Sequence, residues 1–194
     1  QNEAVLPLWK REGTASFFVH QISGGGQQLS RWMSRCGTIR GFNAGYGAGV
    51  YMGNGTFNMT GGAIRNCSAT GGKADGGGVY VSGGSFEMSG GSIEDCTAYE
   101  GAGVKVYPSS GKTASFSMTG GEIQNCNTNG VSIYAIGGTS EFSMSGGTIE
   151  DNGGDGVRVD AGSAEMSGGS VKGSGSYDIY IGSGAALTVK DTQV

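Results

Sequence analysis

One sequence unit recurs five times between residues 47 and 173, and this repeat constrains the fold more than any other feature of the chain. Its consensus reads G-V-x-V, a short turn, F-x-M-[ST]-G-G-x-I and two or three polar residues. The methionine of the unit recurs at intervals of 29, 30, 26 and 22 residues, at Met59, Met88, Met118, Met144 and Met166. A unit of this length cannot bury an apolar face alone and does so by stacking on its neighbours.

Inside each unit, apolar residues alternate with polar ones. Val79 and Val81 flank Tyr80, and the segment FEM at residues 86–88 repeats the pattern. This period of two predicts strands that bury one face. The Gly-Gly pair in the middle of each unit would cost a helix about 1 kcal/mol per glycine, which disfavours a helical solenoid. An antiparallel sandwich is also disfavoured, because its strands do not require identical residues at a fixed period.

We therefore predict an all-β fold, a single-stranded parallel β-helix of about six or seven coils with three short strands per coil. Its coils lie ~4.8 Å apart, and the recurring Phe, Met and Ile residues form the core as stacked columns. The composition agrees with this fold. The chain has 42 Gly but only 2 Pro, which excludes collagen, and its recurrent Val, Ile, Phe and Tyr exclude a flexible linker.

The corner sequence [ST]-G-G-x-I, for instance TGGAI at residues 60–64, points to a known family. It resembles the GGA[ILV] repeat of polymorphic outer-membrane proteins and autotransporter passengers, and more broadly the right-handed, pectate-lyase-like β-helices of bacterial surface proteins. The resemblance covers residues 47–181 and implies a right-handed β-helix that is secreted or attached to a bacterial cell surface. The FxxN motif of the outer-membrane family is replaced here by F-x-M, so only the architecture and the cell-surface setting carry over.

The first part of the chain differs from the repeat. We predict that residues 1–46 form an N-terminal cap or a degenerate first coil, and that residues 47–194 form the β-helix repeats of one domain. Residues 29–36 carry apolar side chains at the spacing of one helical face. An alternative alignment places Trp32 in the Phe column and Ile39 in the Ile column. Either arrangement covers the open end of the stack, where solenoid repeats are atypical.

The charge of the chain restricts its partners. Residues 1–46 carry a net charge of +3 and residues 47–194 a net charge of −7. A nucleic-acid-binding surface requires a basic footprint, so we expect no nucleic-acid partner. No apolar run reaches the ~18 residues of a membrane span, and we expect no membrane insertion by this segment. Because the chain begins at Gln1 rather than Met, we expect a mature secreted product or a piece of a larger chain.

Three of the four cysteines occupy the same position in successive coils. They are Cys67, Cys96 and Cys126, and Asn152 takes the fourth position. Parallel Cβ vectors give poor disulfide geometry, so we predict a buried thiol ladder rather than a bridge. The residues that precede these positions form a column of Asn and Asp: Asn66, Asp95, Asn125 and Asp151. We expect their side chains to bond the turn backbone.

The sequence offers little for catalysis. His20 is the only histidine, and no C-x-x-C or His pair indicates a zinc site, so we expect no metal and no cofactor. Asp155, Arg158 and Asp160 form one local charged cluster, which we interpret as a charge-neutral surface patch. The third-strand outward column alternates in sign or is neutral and is interpreted as structural: Arg65, Glu94, Gln124, Glu150 and Lys172.

Tyrosine gathers on the outward positions of the first strand of each coil. Exposed aromatic side chains interspersed with Lys and Arg are typical of surfaces that stack sugars or contact proteins. The predicted binding residues are Tyr51, Tyr80, Lys105, Tyr107, Tyr134, Arg158 and Tyr180. Tyr46 and Tyr99, in the loops that lead into this strand, extend the patch. The competing interpretation is that Tyr is simply a good strand former on a solvated sheet.

These observations predict a bacterial secreted or cell-surface module that works in adhesion or carbohydrate recognition. Its expected partner is a glycan or a surface protein of a host or neighbouring cell. One alternative is a polysaccharide lyase or hydrolase of the β-helix class, which is the less favoured because no catalytic constellation stands out. The other is a passive stalk or spacer of a larger surface protein.

Overall fold

The computed structural model describes residues 19–22, 37–72 and 74–190. They form an all-β parallel solenoid of about six turns, as predicted. Its strands in chain order are β1 (Val19–Ile22), β2 (Thr38–Arg40), β3 (Asn43–Ala44), β4 (Val50–Met52), β5 (Thr56–Arg65), β6 (Ser68–Ala69), β7 (Val79–Val81), β8 (Gly84–Glu94), β9 (Val104–Val106), β10 (Thr113–Gln124), β11 (Val131–Ile133), β12 (Thr139–Glu150), β13 (Val157–Lys172) and β14 (Ile179–Val189).

The first strands of successive coils pair in parallel with the repeat in register. Val50 of β4 lies opposite Val79 of β7, and the column continues through Val104, Val131 and Val157. Each of the strands β4, β7, β9 and β11 is therefore hydrogen-bonded on both sides, by the coil before it and the coil after it. Their inward Val side chains are fully buried, and the alternate residues point out of the solenoid.

The second and third strands of each coil join into one long strand that bends at the Gly-Gly corner. In β5 and β8, Phe57 pairs with Phe86 and Ile64 with Ile93, which confirms the predicted core columns. The phenyl rings of successive coils stack with their centroids between 4.8 and 5.3 Å apart. Because each ring is buried against the next, the loss of one would cost about 3–5 kcal/mol of folding free energy.

Gly121 shows why the corner requires glycine. Its φ is +90°, a left-handed conformation in which a residue with a side chain would be strained. A Cβ atom there would lie 2.6 Å from the Met88 Cε atom and 2.8 Å from the Gly91 carbonyl oxygen of the preceding coil. The pairing register shifts between Met118 and Glu122, so the bend occurs without a break in the sheet.

The three cysteines of the repeat are free and buried, as the thiol-ladder interpretation predicted; Cys36 lies outside the described residues. Asn152 completes the column with its amide. It donates to the Ile123 carbonyl at 3.2 Å and accepts from the Cys126 N–H at 3.1 Å. A polar residue at this buried position is thus satisfied by the backbone of the coil below it.

The Asx column has a backbone cause that the sequence alone did not indicate. Its four members are the non-glycine residues of the described chain with positive φ, between +53° and +54°: Asn66, Asp95, Asn125 and Asp151. Asn and Asp tolerate the left-handed region better than other side chains do. The backbone conformation therefore explains why this corner carries Asn or Asp. The four side chains are exposed.

The described part of residues 1–46 pairs with the repeat as a coil does. Ile39 of β2 is fully buried and lies opposite Ile64 of β5, as the degenerate-coil alignment predicted. β1 pairs with β4 in the first-strand column. Trp32 and the helical spacing of residues 29–36 lie outside the described residues.

We predict that Gly121→Ala destabilises the protein more than Gly111→Ala does. Gly111 has a φ of +72°, but a Cβ atom added to it would meet nothing within 4 Å, so its substitution tests backbone strain alone. We expect Gly111→Ala to lower the free energy of unfolding by about 1–2 kcal/mol. Gly121→Ala should cost about 1–3 kcal/mol more because of the steric overlap. Urea denaturation of both variants measures the difference, and equal losses would contradict the steric account.

We also predict that the thiol ladder resists alkylation and disulfide exchange in the native state. A hydrogen bond with the Cys96 thiol and burial raise the pKa of Cys67 above its ordinary value, and the pKa of Cys96 is raised as well. The reactive thiolate is therefore scarce even at mildly alkaline pH. In a Cys36→Ser background, a thiol reagent should react roughly tenfold or more slowly with the native protein than with the urea-unfolded chain. Rapid stoichiometric reaction of the native protein would contradict the ladder.

Candidate functional site

The outward side of the first-strand column forms an elongated groove with a volume of about 550 Å³. Sites for small ligands typically enclose roughly 300–1,000 Å³. Five tyrosines line it: Tyr46, Tyr80, Tyr99, Tyr107 and Tyr134. Among the described residues, three carboxylates and two cations also line it: Asp75, Glu100, Asp160, Lys105 and Arg158.

The repeat positions these side chains. Tyr80, Lys105 and Arg158 follow the inward Val of their strands by one residue, whereas Tyr107 and Tyr134 follow it by three. Both positions point outward because side chains alternate along a strand. The lining residues come from five successive coils, from Tyr46 to Asp160. Four coil steps of ~4.8 Å extend the groove over roughly 19 Å along the solenoid axis.

The tyrosine rings form two stacked pairs rather than an open stripe. The centroids of Tyr51 and Tyr80 lie 5.5 Å apart and those of Tyr107 and Tyr134 lie 5.6 Å apart, each pair with an interplanar angle of 6°. Tyr46 packs against Tyr80 at 5.4 Å and 59°. Each ring of a pair therefore covers one face of its partner, and a ligand reaches only the outer faces, the ring edges and the hydroxyl groups.

Tyr80 forms part of the floor of the groove. It is only 7% exposed, so the expectation of an exposed ring is wrong for this residue. Burial, followed by the negative charge of Asp75, raises the pKa of the Tyr80 phenol above its ordinary value. The hydroxyl stays protonated at neutral pH and can donate a hydrogen bond.

Lys105 also differs from the prediction of an exposed cation. Its side chain is 2% exposed, and its ammonium group donates to the Glu100 carboxylate and, at 2.9 Å, to the Ser132 hydroxyl. The same nitrogen lies 5.8 Å from the centre of the Tyr134 ring. A buried charge is costly unless it is paired, and Glu100 supplies the pairing from the loop that precedes β9.

Arg158 is fully engaged by two carboxylates. Its Nε and Nη2 atoms donate to Asp160 at 2.8 and 2.9 Å, and its Nη1 atom donates to Asp155 at 3.1 Å. These bonds, with that to Asp160 first, raise the pKa of the guanidinium. Its central carbon lies 4.2 Å from the centre of the Tyr180 ring. Two carboxylates and one guanidinium give this cluster a net charge of −1, and Asp155 is buried, so the prediction of a charge-neutral surface patch is wrong. The hydrogen bonds fit a structural role.

The structure brings five of the seven predicted residues to the groove. Tyr51 stacks on Tyr80 from the adjacent coil, and its hydroxyl accepts a hydrogen bond from Ser82 at 3.0 Å. Tyr180 packs its ring against the Arg158 guanidinium. Whether the groove residues bind a ligand stays a prediction.

The carboxylates of Asp75 and Glu100 line the groove but were not among the predicted binding residues. These two residues and Tyr46 occupy the same place in successive units, four residues before the inward Val, and they pair in parallel bridges. An alignment of the loops as well as the strands would have found this acidic column.

The groove offers aromatic surface, phenol hydroxyl groups and carboxylate acceptors. Among the described residues, no group of three or more His, Cys, Asp or Glu could hold a metal ion. Within the same ranges, no helix has the length and hydropathy that a membrane crossing needs.

Comparison with known proteins gives one result. A family model described as a right-handed beta helix region matches residues 34–194, which is more than half of the chain. Searches of curated proteins and of solved structures returned no significant match.

We predict that Glu100→Gln destabilises the protein because it removes the counter-charge of a buried ammonium group. The cost should be about 1–3 kcal/mol in the free energy of unfolding. Glu87→Gln is the matched control, since Glu87 is exposed on the second strand, and it should change stability by less than about 0.5 kcal/mol. Chemical denaturation at neutral pH compares the two variants, and an equal effect would mean that the Lys105–Glu100 pair contributes no stability.

Proposed function

The chain belongs to the right-handed β-helix family, and on this premise we propose that it is a carbohydrate-recognition module that binds an extended glycan in the tyrosine-lined groove. We further propose that it acts in adhesion as a secreted or cell-surface protein of a bacterium. The observation that carries the proposal is the groove of about 550 Å³, which residues of five successive coils line and to which four of these coils contribute five tyrosines.

The length of the groove favours a polymer. An elongated site of roughly 19 Å along the axis matches an oligosaccharide segment better than a single sugar. Tyr99 and Tyr46 are exposed at its rim, where their rings offer apolar surface and hydroxyl groups together. Sugars present both apolar C–H faces and hydroxyl groups, so this combination is suited to them.

The backbone of the groove favours a glycan over an extended peptide. Peptides commonly bind by adding a strand to an open sheet edge. The first strands beneath the groove, β4, β7, β9 and β11, are hydrogen-bonded on both sides by neighbouring coils. Recognition in the groove therefore depends on side chains, which suits hydroxyl-rich ligands.

The charged cluster favours binding over the lyase or hydrolase alternative. That alternative rests on Asp155 and Asp160 as chemically available carboxylates. Both are instead engaged by Arg158, and Asp155 is buried and also accepts a hydrogen bond from the Tyr177 N–H at 3.2 Å. Their geometry supports a role in holding the groove wall.

We predict that Tyr99→Ala weakens glycan binding whereas Tyr177→Ala does not. The two residues are matched in exposure, at 60% and 62%, but only Tyr99 lines the groove. A glycan array identifies the oligosaccharides that the wild type binds, and calorimetry with the best of them measures the dissociation constants. Loss of one stacking ring should weaken binding about three- to tenfold. Equal affinities of the two variants would exclude the groove as the site, and an array without any bound glycan would overturn the proposed function.

A further inference from the structure

The chain contains three Asn-Gly steps, and the structure holds one of them differently from the other two. They are Asn54-Gly55, Asn129-Gly130 and Asn152-Gly153. We infer that Asn54 is a site of spontaneous covalent modification, at which the folded protein converts the side-chain amide to a carboxylate, and that the solenoid protects the other two steps. The inference goes beyond the proposed function, since it involves neither the groove nor a ligand.

The reaction is an attack of the main chain on its own side chain. The glycine nitrogen loses its proton to hydroxide and bonds to Cγ of the asparagine. The side-chain nitrogen takes a proton from water and leaves as ammonia. Water then opens the five-membered imide ring: cleavage at Cγ gives aspartate, and cleavage at the main-chain carbonyl carbon gives isoaspartate. Glycine favours the attack because it has no Cβ atom that would obstruct it.

Asn54 holds its side chain beside the nitrogen that attacks. It is exposed in the turn between β4 and β5, and its Oδ1 atom accepts a hydrogen bond of 2.8 Å from the Gly55 N–H. Cγ is bonded to Oδ1, so the reacting carbon and nitrogen are already neighbours in the folded chain. Because the turn is exposed, hydroxide and water reach the same atoms.

Asn129 is held away from this reaction by the next coil. Its side chain is only 9% exposed, and its Oδ1 atom accepts a hydrogen bond from the Asp155 N–H at 3.0 Å. The nitrogen that would attack belongs to Gly130, and it donates to the Asp155 carbonyl oxygen at 3.0 Å. Both reacting groups are thus bound elsewhere, and the reaction requires local opening of the solenoid.

Asn152 is protected in the same way by the preceding coil. It is 1% exposed, and its amide bonds the Ile123 carbonyl oxygen and the Cys126 N–H. The Gly153 N–H donates to the Cys126 carbonyl oxygen at 2.8 Å. Ring closure would break all three hydrogen bonds at a buried position, where polar groups without a partner are costly.

The corner at Asn54 can accommodate the new charge. The preceding residue, Gly53, accepts a hydrogen bond at 2.9 Å from the Lys112 ammonium group, so a cation lies close to this turn. The following residue, Gly55, accepts one at 2.9 Å from the Ser85 N–H of the next coil. Isoaspartate adds one carbon atom to the main-chain path at this point, so the modification alters the contact between the first two repeats.

Peptide mapping by mass spectrometry tests the assignment on the full chain. The native protein is kept at mildly alkaline pH and physiological temperature, and each converted amide raises the peptide mass by about 1 Da. We expect Asn54 to convert about tenfold or more faster than Asn129 and Asn152, which react only after local opening. In the urea-unfolded chain at the same pH, the three steps should convert at rates within about threefold of one another.

A matched pair of variants assigns the acidic product to this residue. Asn54→Gln keeps an amide but requires a less favourable six-membered ring, whereas Asn43→Gln makes the same change at an exposed asparagine that precedes Ala44. On isoelectric focusing of aged native protein, the acidic form of the wild type should be lost in Asn54→Gln and kept in Asn43→Gln. Native conversion of Asn54 no faster than that of Asn129 or Asn152 would overturn the inference. An acidic form that accumulates at the wild-type rate in Asn54→Gln would also overturn it.

Discussion

The in-register stacking of identical side chains on successive coils is the interaction on which the rest of the structure depends. Each coil hydrogen-bonds the next through parallel strands, so any residue that faces inward lies on its own counterpart one coil away. Phe86 and Phe116 stack at 4.8 Å, and the Ile and Met columns follow the same rule. Because the interior is close-packed, a change of size in one coil is felt by both neighbours. This coupling keeps the inward sequence nearly constant along the chain.

The outward positions do not have to repeat the same residue in every coil. The groove lies where the outward residues differ from coil to coil. In the column one residue beyond the inward Val, the sequence runs from stacked tyrosines to a lysine, a serine and an arginine. The ammonium group of Lys105 lies 5.8 Å from the centre of the Tyr134 ring, and this lysine can be buried because a loop carboxylate, Glu100, pairs with it. The loops that lead into the first strand therefore act together with the strand, and they set both the shape and the charge of the groove.

The sequence predicted which residues stack in columns but not how far individual outward side chains are buried. Phe57, Met59 and Ile64 could be assigned to the core because periodicity alone decides which face they share. The burial of Tyr80 and Lys105 could not be predicted in this way, since it depends on contacts with Tyr46 and Glu100 in the preceding loops, and the alternation within strands does not determine those contacts. The left-handed backbone of the Asx corner was missed for a related reason. A column of Asn and Asp is compatible with side-chain hydrogen bonds as well as with positive φ, and only the backbone dihedral angles distinguish the two.

The Asx corner has a consequence for how such a protein can change over evolutionary time. The left-handed position accepts either Asn or Asp, as Asn66 and Asp95 show, and a swap between them alters charge but not conformation. The outer electrostatic character of the solenoid can therefore drift by single substitutions without disturbing its architecture. The groove lies on a different part of each coil, so the side chains that line it are insulated from that drift. The charge of the corner and the lining of the groove are thus separately adjustable within one repeat.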